Sequence, residues 1–143
     1  MLFRSFNARF GDPETQVLIP RLDGDLLEAL AAAAGGESDG IGLVERADAA
    51  VTVVLSGPDY PERSDYTGAP IEGIAAAESD GALVFHGGTA MRGDELVTNG
   101  GRILSVTAVG TTVASARDRA YRSVSEVSFE GARFRTDIAA SHG

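Results

Sequence analysis

The chain contains no cysteine, which excludes disulfides and thiolate metal sites. No apolar run approaches the ~20 residues needed to cross a bilayer. Residues 1–5 are too short for a signal peptide, whose apolar centre takes about 7–15 residues. The expected location is therefore the cytoplasm, with no membrane partner. Aromatic residues make up only 6% of the chain, whereas 18 of its 143 residues are glycine, so a modest core with many turns is expected. Positive charge is in the minority: 12 Lys and Arg against 21 Asp and Glu give a net charge of −9. This balance argues against nonspecific nucleic-acid binding but leaves room for a local cationic pocket. What is present, 43% apolar and 23% charged residues, is the composition of a soluble globular protein. The length suits one ordinary core with an appended segment.

Residues 2–10 alternate in character. Ser5, Asn7 and Arg9 fall on one face of an expected strand, with Phe6, Ala8 and Phe10 on the other. Gly11 and Pro13 end that strand and begin a loop. Asp23 or Asp25 caps a helix in which Leu26, Leu27, Leu30, Ala31 and Ala34 recur at helical spacing, and Gly35-Gly36 stops it. Residues 37–42 read as a linker, dividing the chain into regions 1–46 and 47–143. In the second region residues 51–55 form a strongly β-type run ended by Gly57-Pro58. Residues 60–73 read as an extended loop, and residues 83–86 and 95–98 as short strands. Asn99-Gly100 is a tight-hairpin signal leading into a strand over residues 103–109. Thr111 or Thr112 caps a helix with Val113, Ala116, Ala120, Val124 and Val127 on its apolar stripe and Arg117, Asp118, Arg119 and Arg122 toward water. The expected class is α+β: a strand and helix, then a mainly antiparallel β domain with one main helix.

Four groups of residues can carry chemistry. On the first strand, an Asn7 carbonyl oxygen suits Mg²⁺, and Arg9, about 7 Å along the same face, suits the phosphoryl oxygens such a metal bridges. The other reading is a polar edge face in solvent. Asp12 and Glu14, flanking Pro13, either orient an amine or metal, or stay solvated in a turn. Gly100-Gly101-Arg102 either cradles a phosphate or forms a hairpin turn with an exposed Arg, although a minimal hairpin has no need of Gly101. His86, followed by Gly87-Gly88, either faces a ligand or is a surface histidine.

Residues 6–16, Phe-Asn-Ala-Arg-Phe-Gly-Asp-Pro-Glu-Thr-Gln, followed by Pro20-Arg21-Leu22 and Asp25-Leu26-Leu27, resemble the glycinamide ribonucleotide synthetases. These are the phosphoribosylamine–glycine ligases of the ATP-grasp superfamily. The resemblance continues through Tyr60-Pro61, Phe85-His86-Gly87-Gly88-Thr89, Asn99-Gly100-Gly101-Arg102-Ile103-Leu104, Phe129-Glu130-Gly131 and Arg135 with Asp137-Ile138. It covers almost the whole chain, in order. It implies an enzyme family that joins glycine to phosphoribosylamine with ATP and Mg²⁺ or Mn²⁺, through glycyl phosphate, in de novo purine synthesis. It also implies that residues 1–46 are the end of an ATP-grasp domain and residues 47–143 the family's C-terminal domain. Asn7 matches one of the family's two metal ligands, but Ser5 stands where the other, a Glu, is expected. Arg9 matches the motif arginine beside the transferring phosphate. By analogy with related ATP-grasp enzymes, Arg102 and His86 would hold the substrate's ribose phosphate. Thr136 and Ala139 replace a basic residue and a glycine. The resemblance thus leads us to expect the rear part of such a ligase, inactive by itself, with a stand-alone ribonucleotide-phosphate-binding module as the alternative.

Overall fold

A computed structural model describes residues 8–37 and 42–140. In chain order its elements are α1 (Thr15–Leu18), a 3-10 turn (Ile19–Arg21), β1 (Leu22–Asp23), α2 (Leu26–Ala34), β2 (Val44–Glu45) and β3 (Ala49–Ser56). Then follow β4 (Tyr66–Pro70), α3 (Ile74–Ser79), β5 (Leu83–His86), β6 (Thr89–Arg92), β7 (Glu95–Gly100), β8 (Arg102–Gly110) and α4 (Val113–Glu126). The class is α+β, and all strand pairs among the described residues are antiparallel. Two three-stranded sheets, ordered β3-β8-β5 and β4-β7-β6, carry the fold beside the small β1-β2 pair.

Apolar or small residues on both faces of β8 put it at the centre of its sheet, with residues 103–108 all buried. On one face Val53 pairs with Val106, and Leu55 with Leu104. These side chains pack with Ala116, Ala120 and Val124 of α4 to form the core. Small residues let the helix lie close: a Cβ on Gly110 would meet the Ala116 nitrogen at 2.6 Å. The helix starts where expected, at a capping box in which Thr112 and Ser115 satisfy each other's backbone N–H groups. On the opposite face Thr107 Oγ1 donates to Thr52 Oγ1 at 2.8 Å, and α1 lies against β3 and β8.

The segment before β3 is tied down by arginines. Arg21 donates from Nε to the Asp48 carbonyl at 2.6 Å and pairs with Glu45 at 2.7 Å. Arg46 pairs with Asp23 at 2.6 Å. After α4 the chain returns as a strap along the helix. Arg117 donates to the carbonyls of Ile138 and Thr136, both at 2.9 Å, and the Tyr121 hydroxyl donates to the Arg135 carbonyl at 2.7 Å. Ala139 closes the strap at φ 57°, a left-handed conformation that favours glycine.

Several expectations change. Residues 8–10 belong to no strand, and the rest of the expected first strand lies outside the described residues. Gly11 and Pro13 lead not into a plain loop but into α1, whose first bond runs from Thr15 N to the Gly11 carbonyl at 3.0 Å. The expected loop over 60–73 contains β4, and α3 and β6 are additional elements. Asn99-Gly100 is not a hairpin turn: it ends β7, and β8 then joins the other sheet between β3 and β5. The tight hairpin is Gly93-Asp94, joining Arg92 to its partner Glu95, with Gly93 at φ 63°. Arg117 and Arg119 do not simply face water; both are half-buried, and Arg119 donates to the Val109 carbonyl at 2.8 Å. The stripe on α2 is uncovered: only Ala29 is buried, and Leu27 is 77% exposed.

Candidate functional site

The chain passes between the two sheets four times, and two of these crossings stack on each other. Gly87-Gly88 leads from β5 to β6, and Gly101 leads from β7 to β8. Gly87 N and Gly88 N both donate to the Ile103 carbonyl, at 2.9 and 3.1 Å, and Asn99 N donates to the Gly88 carbonyl at 2.7 Å. Only glycine allows this approach. A Cβ on Gly88 would meet the Arg102 carbonyl at 2.7 Å, and one on Gly101 would meet the Tyr60 ring at 2.7 Å. That is the structural need for Gly101, which a hairpin could not explain.

A cavity of about 500 Å³ opens at this corner. Asp12, His86, Gly100, Gly101 and Arg102 all line it, joined by Gln16, Tyr60, Ser64, Phe85 and Ser105. The structure therefore gathers residues separated by up to 93 positions, from Asp12 to Ser105. Arg102 Nη2 lies 2.7 Å from Asp12 Oδ2, and its Nη1 donates to the Asp12 carbonyl at 3.2 Å. Gln16 Nε2 donates to the other Asp12 oxygen at 3.0 Å. His86 Nδ1 lies 3.1 Å from Thr89 Oγ1, which fixes the ring's orientation.

Two expected site residues are not brought here. Arg9 is exposed, and its guanidinium donates to the neighbouring Phe10 carbonyl at 2.8 Å. It lacks the strand that would have aimed it. Glu14 sits at the start of α1 and folds its carboxylate against Gly11. Asn7 and Ser5 lie outside the described residues. Among the described residues no group of three or more His, Asp or Glu could hold a metal ion, and the Asp12 carboxylate already faces a guanidinium. The described residues thus do not fit a divalent cation, and no chemical step is assigned to one. Tyr60, Ser64, Gln16 and Phe85 escaped the sequence reading. Gln16, Tyr60 and Phe85 stand in family-like stretches, which was the available signal, but Tyr60-Pro61 read as loop and none of the three was given a role.

Fold and corner together define a class of protein: an antiparallel α+β domain whose two sheets meet at a polar, arginine-bearing cavity. A family model described as "Phosphoribosylglycinamide synthetase, C domain" matches residues 50–141, and the chain belongs to that family. The phosphoribosylamine–glycine ligase of Streptomyces coelicolor is 49% identical over 139 residues, covering 94% of this chain and 33% of the relative. That of Leifsonia xyli subsp. xyli is 50% identical over 141 residues, with the same shares. A crystal structure of the Thermotoga maritima phosphoribosylamine–glycine ligase superposes with a TM-score of 0.76 at 35% identity, covering 93% of this chain and 32% of that one. The chain spans about a third of the length of the relatives it matches.

Proposed function

We propose that this chain supplies the ribose-phosphate-holding side of a phosphoribosylamine–glycine ligase of purine biosynthesis. In that reaction a phosphoryl group passes from ATP to the glycine carboxylate and ADP is released. The phosphoribosylamine nitrogen then attacks the acyl carbon, loses a proton and expels phosphate, leaving an amide. Such chemistry is mostly positioning and charge neutralisation. Residues 1–46 would close the ATP-grasp part and residues 47–143 would form the substrate-holding domain. The observation that carries the reading is the convergence of Arg102, His86 and the side-chain-free backbone of Gly100-Gly101 on one cavity. A guanidinium fork matches phosphate oxygens two at a time, and glycine leaves backbone amides open to an anion.

Asp12 occupies that guanidinium in the structure. An incoming phosphate dianion would take its place, freeing the Asp12 carboxylate to hold a substrate amine, which the ribose ring separates from the phosphate. Arg9 and Asn7, assigned by resemblance, would serve the phosphoryl-transfer side together with parts of the ligase that the matched third does not include. Titrating the purified chain with ribose 5-phosphate tests the reading by NMR. The amides of Gly100 and Gly101 should shift together with the His86 ring, and spectra unchanged at those positions would refute it. Assayed with ATP, glycine and phosphoribosylamine, the 143-residue chain alone should show no turnover above background.

A further inference from the structure

A second cavity of about 480 Å³ adjoins the first and shares Tyr60 and Arg102 with it. Its chemistry is different. Val54, Ile138 and the rings of Tyr60 and Phe134 give it apolar walls, Arg133 lies at its rim, and no carboxylate lines it. In a chain of net charge −9, Arg102 and Arg135 of this cavity are paired with Asp12 and Asp137, and Arg133 supplies a cation that no carboxylate among the described residues opposes, a local charge that favours anions. Arg133 is bonded through its backbone to Ser56, and its guanidinium has no hydrogen-bond partner among the described residues.

Phe134 is 42% exposed but its ring is held in place. Tyr121 lies against it with centroids 6.4 Å apart, and Arg117 stacks over Tyr121 at 4.7 Å. The bonds from Arg117 and Tyr121 to the strap backbone fix the segment that carries Phe134. A ring braced on one side and open on the other is a pre-organised stacking surface, so little ordering cost attends binding. Aromatic faces of this kind accept a nucleobase, and the sequence of the base matters little because each has a π-face.

We infer that the two cavities together take a nucleoside 5′-monophosphate. Its phosphate would lie on Arg102 in the first cavity, its ribose would pass Tyr60, and its base would stack on Phe134 in the second. This rests on the reading of the first cavity as a phosphate site. Such a nucleotide shares the sugar phosphate of the proposed substrate, so it competes with that substrate for Arg102 and regulates the site by occupying it.

Calorimetric titrations of the purified chain with adenosine 5′-monophosphate, ribose 5-phosphate and adenosine test the inference. The nucleotide should bind about ten-fold or more tighter than ribose 5-phosphate, the range expected of one stacked base. It should displace ribose 5-phosphate, and it alone should shift the Phe134 and Arg133 amides. Phe134→Ala should bring its affinity down to that of ribose 5-phosphate. Equal affinities for the two phosphates, or nucleotide spectra lacking the Phe134 and Arg133 shifts, overturn the second cavity's role without touching the first. Absence of ribose 5-phosphate binding, by contrast, would strike the phosphate reading itself. The shift comparison uses the unmutated chain and so does not depend on the variant folding.

Discussion

Asp12 and Arg102 show how much a single contact can decide. They lie 90 positions apart, and their 2.7 Å pair joins the segment before α1 to the crossing between sheets. Because Asp12 competes for the guanidinium a phosphate would use, Asp12→Asn should tighten ribose 5-phosphate binding several-fold by calorimetry; weaker binding would mean that Asp12 instead positions Arg102 for the phosphate. Ala139 bears a different cost. A non-glycine residue at φ 57° is disfavoured by about 1–2 kcal/mol, partly offset by the extra freedom glycine has when unfolded. Ala139→Gly should therefore raise stability by roughly 0.5–1 kcal/mol, seen as a melting temperature a few degrees higher. Three surface carboxyls, Asp23, Asp65 and Asp137, are held below their usual range by hydrogen bonds from Arg46, Arg63 and Arg135. A carboxyl depressed by folding adds stability that is fully present above its unfolded pKa near ~3.9 and is lost as pH falls through the lower folded value. Melting temperature should thus hold between about pH 5 and 7 and decline below about pH 4; a decline already complete at pH 5 would contradict these pairs as its source.

Among the elements, α4 draws most on a local signal. Its Thr112–Ser115 capping box satisfies N–H groups at the end that packs nearest Gly110. Thr112→Ala should cost about 1 kcal/mol, measured by chemical denaturation, with an unchanged midpoint counting against the cap. Strongly patterned elements such as this helix, β3 and β8 could be read from the sequence because period and burial agree there. The short β4, β6 and α3 could not, since they lack the Leu-Val pair that marks the equally short β5 and β7 and are fixed by their neighbours. Asn99-Gly100 misled for a physical reason. The glycines that suit a tight turn also suit two backbones stacked at a sheet crossing, and sequence alone does not distinguish the two. Asp12, His86, Gly100, Gly101 and Arg102 were legible as candidates, but their meeting depends on that crossing. Tyr60 and Phe134 were not legible, because an aromatic residue in a loop has no pattern to betray what it faces. The α2 stripe had the right period, yet Leu27 and Leu30 remain exposed, so amphipathic spacing identified the helix without identifying what covers it.

At the scale of the whole molecule, two antiparallel sheets and one long helix form a frame with a polar cavity at the corner between the sheets. The chain spans about a third of its relatives' length, and in the proposed function residues 47–143 grip the sugar phosphate. All 12 of its cations are arginines, and many are spent on backbone carbonyls and ion pairs that hold the frame. Arg102 is the one placed where two crossings and an apolar annex converge. The most direct test is calorimetric titration of ribose 5-phosphate into the unmutated chain and into Arg102→Ala at one fixed salt concentration. The account calls for measurable binding by the former and a loss of about ten-fold or more in the latter, as expected for a charge-assisted bond to phosphate; equal affinities in the two proteins would contradict it.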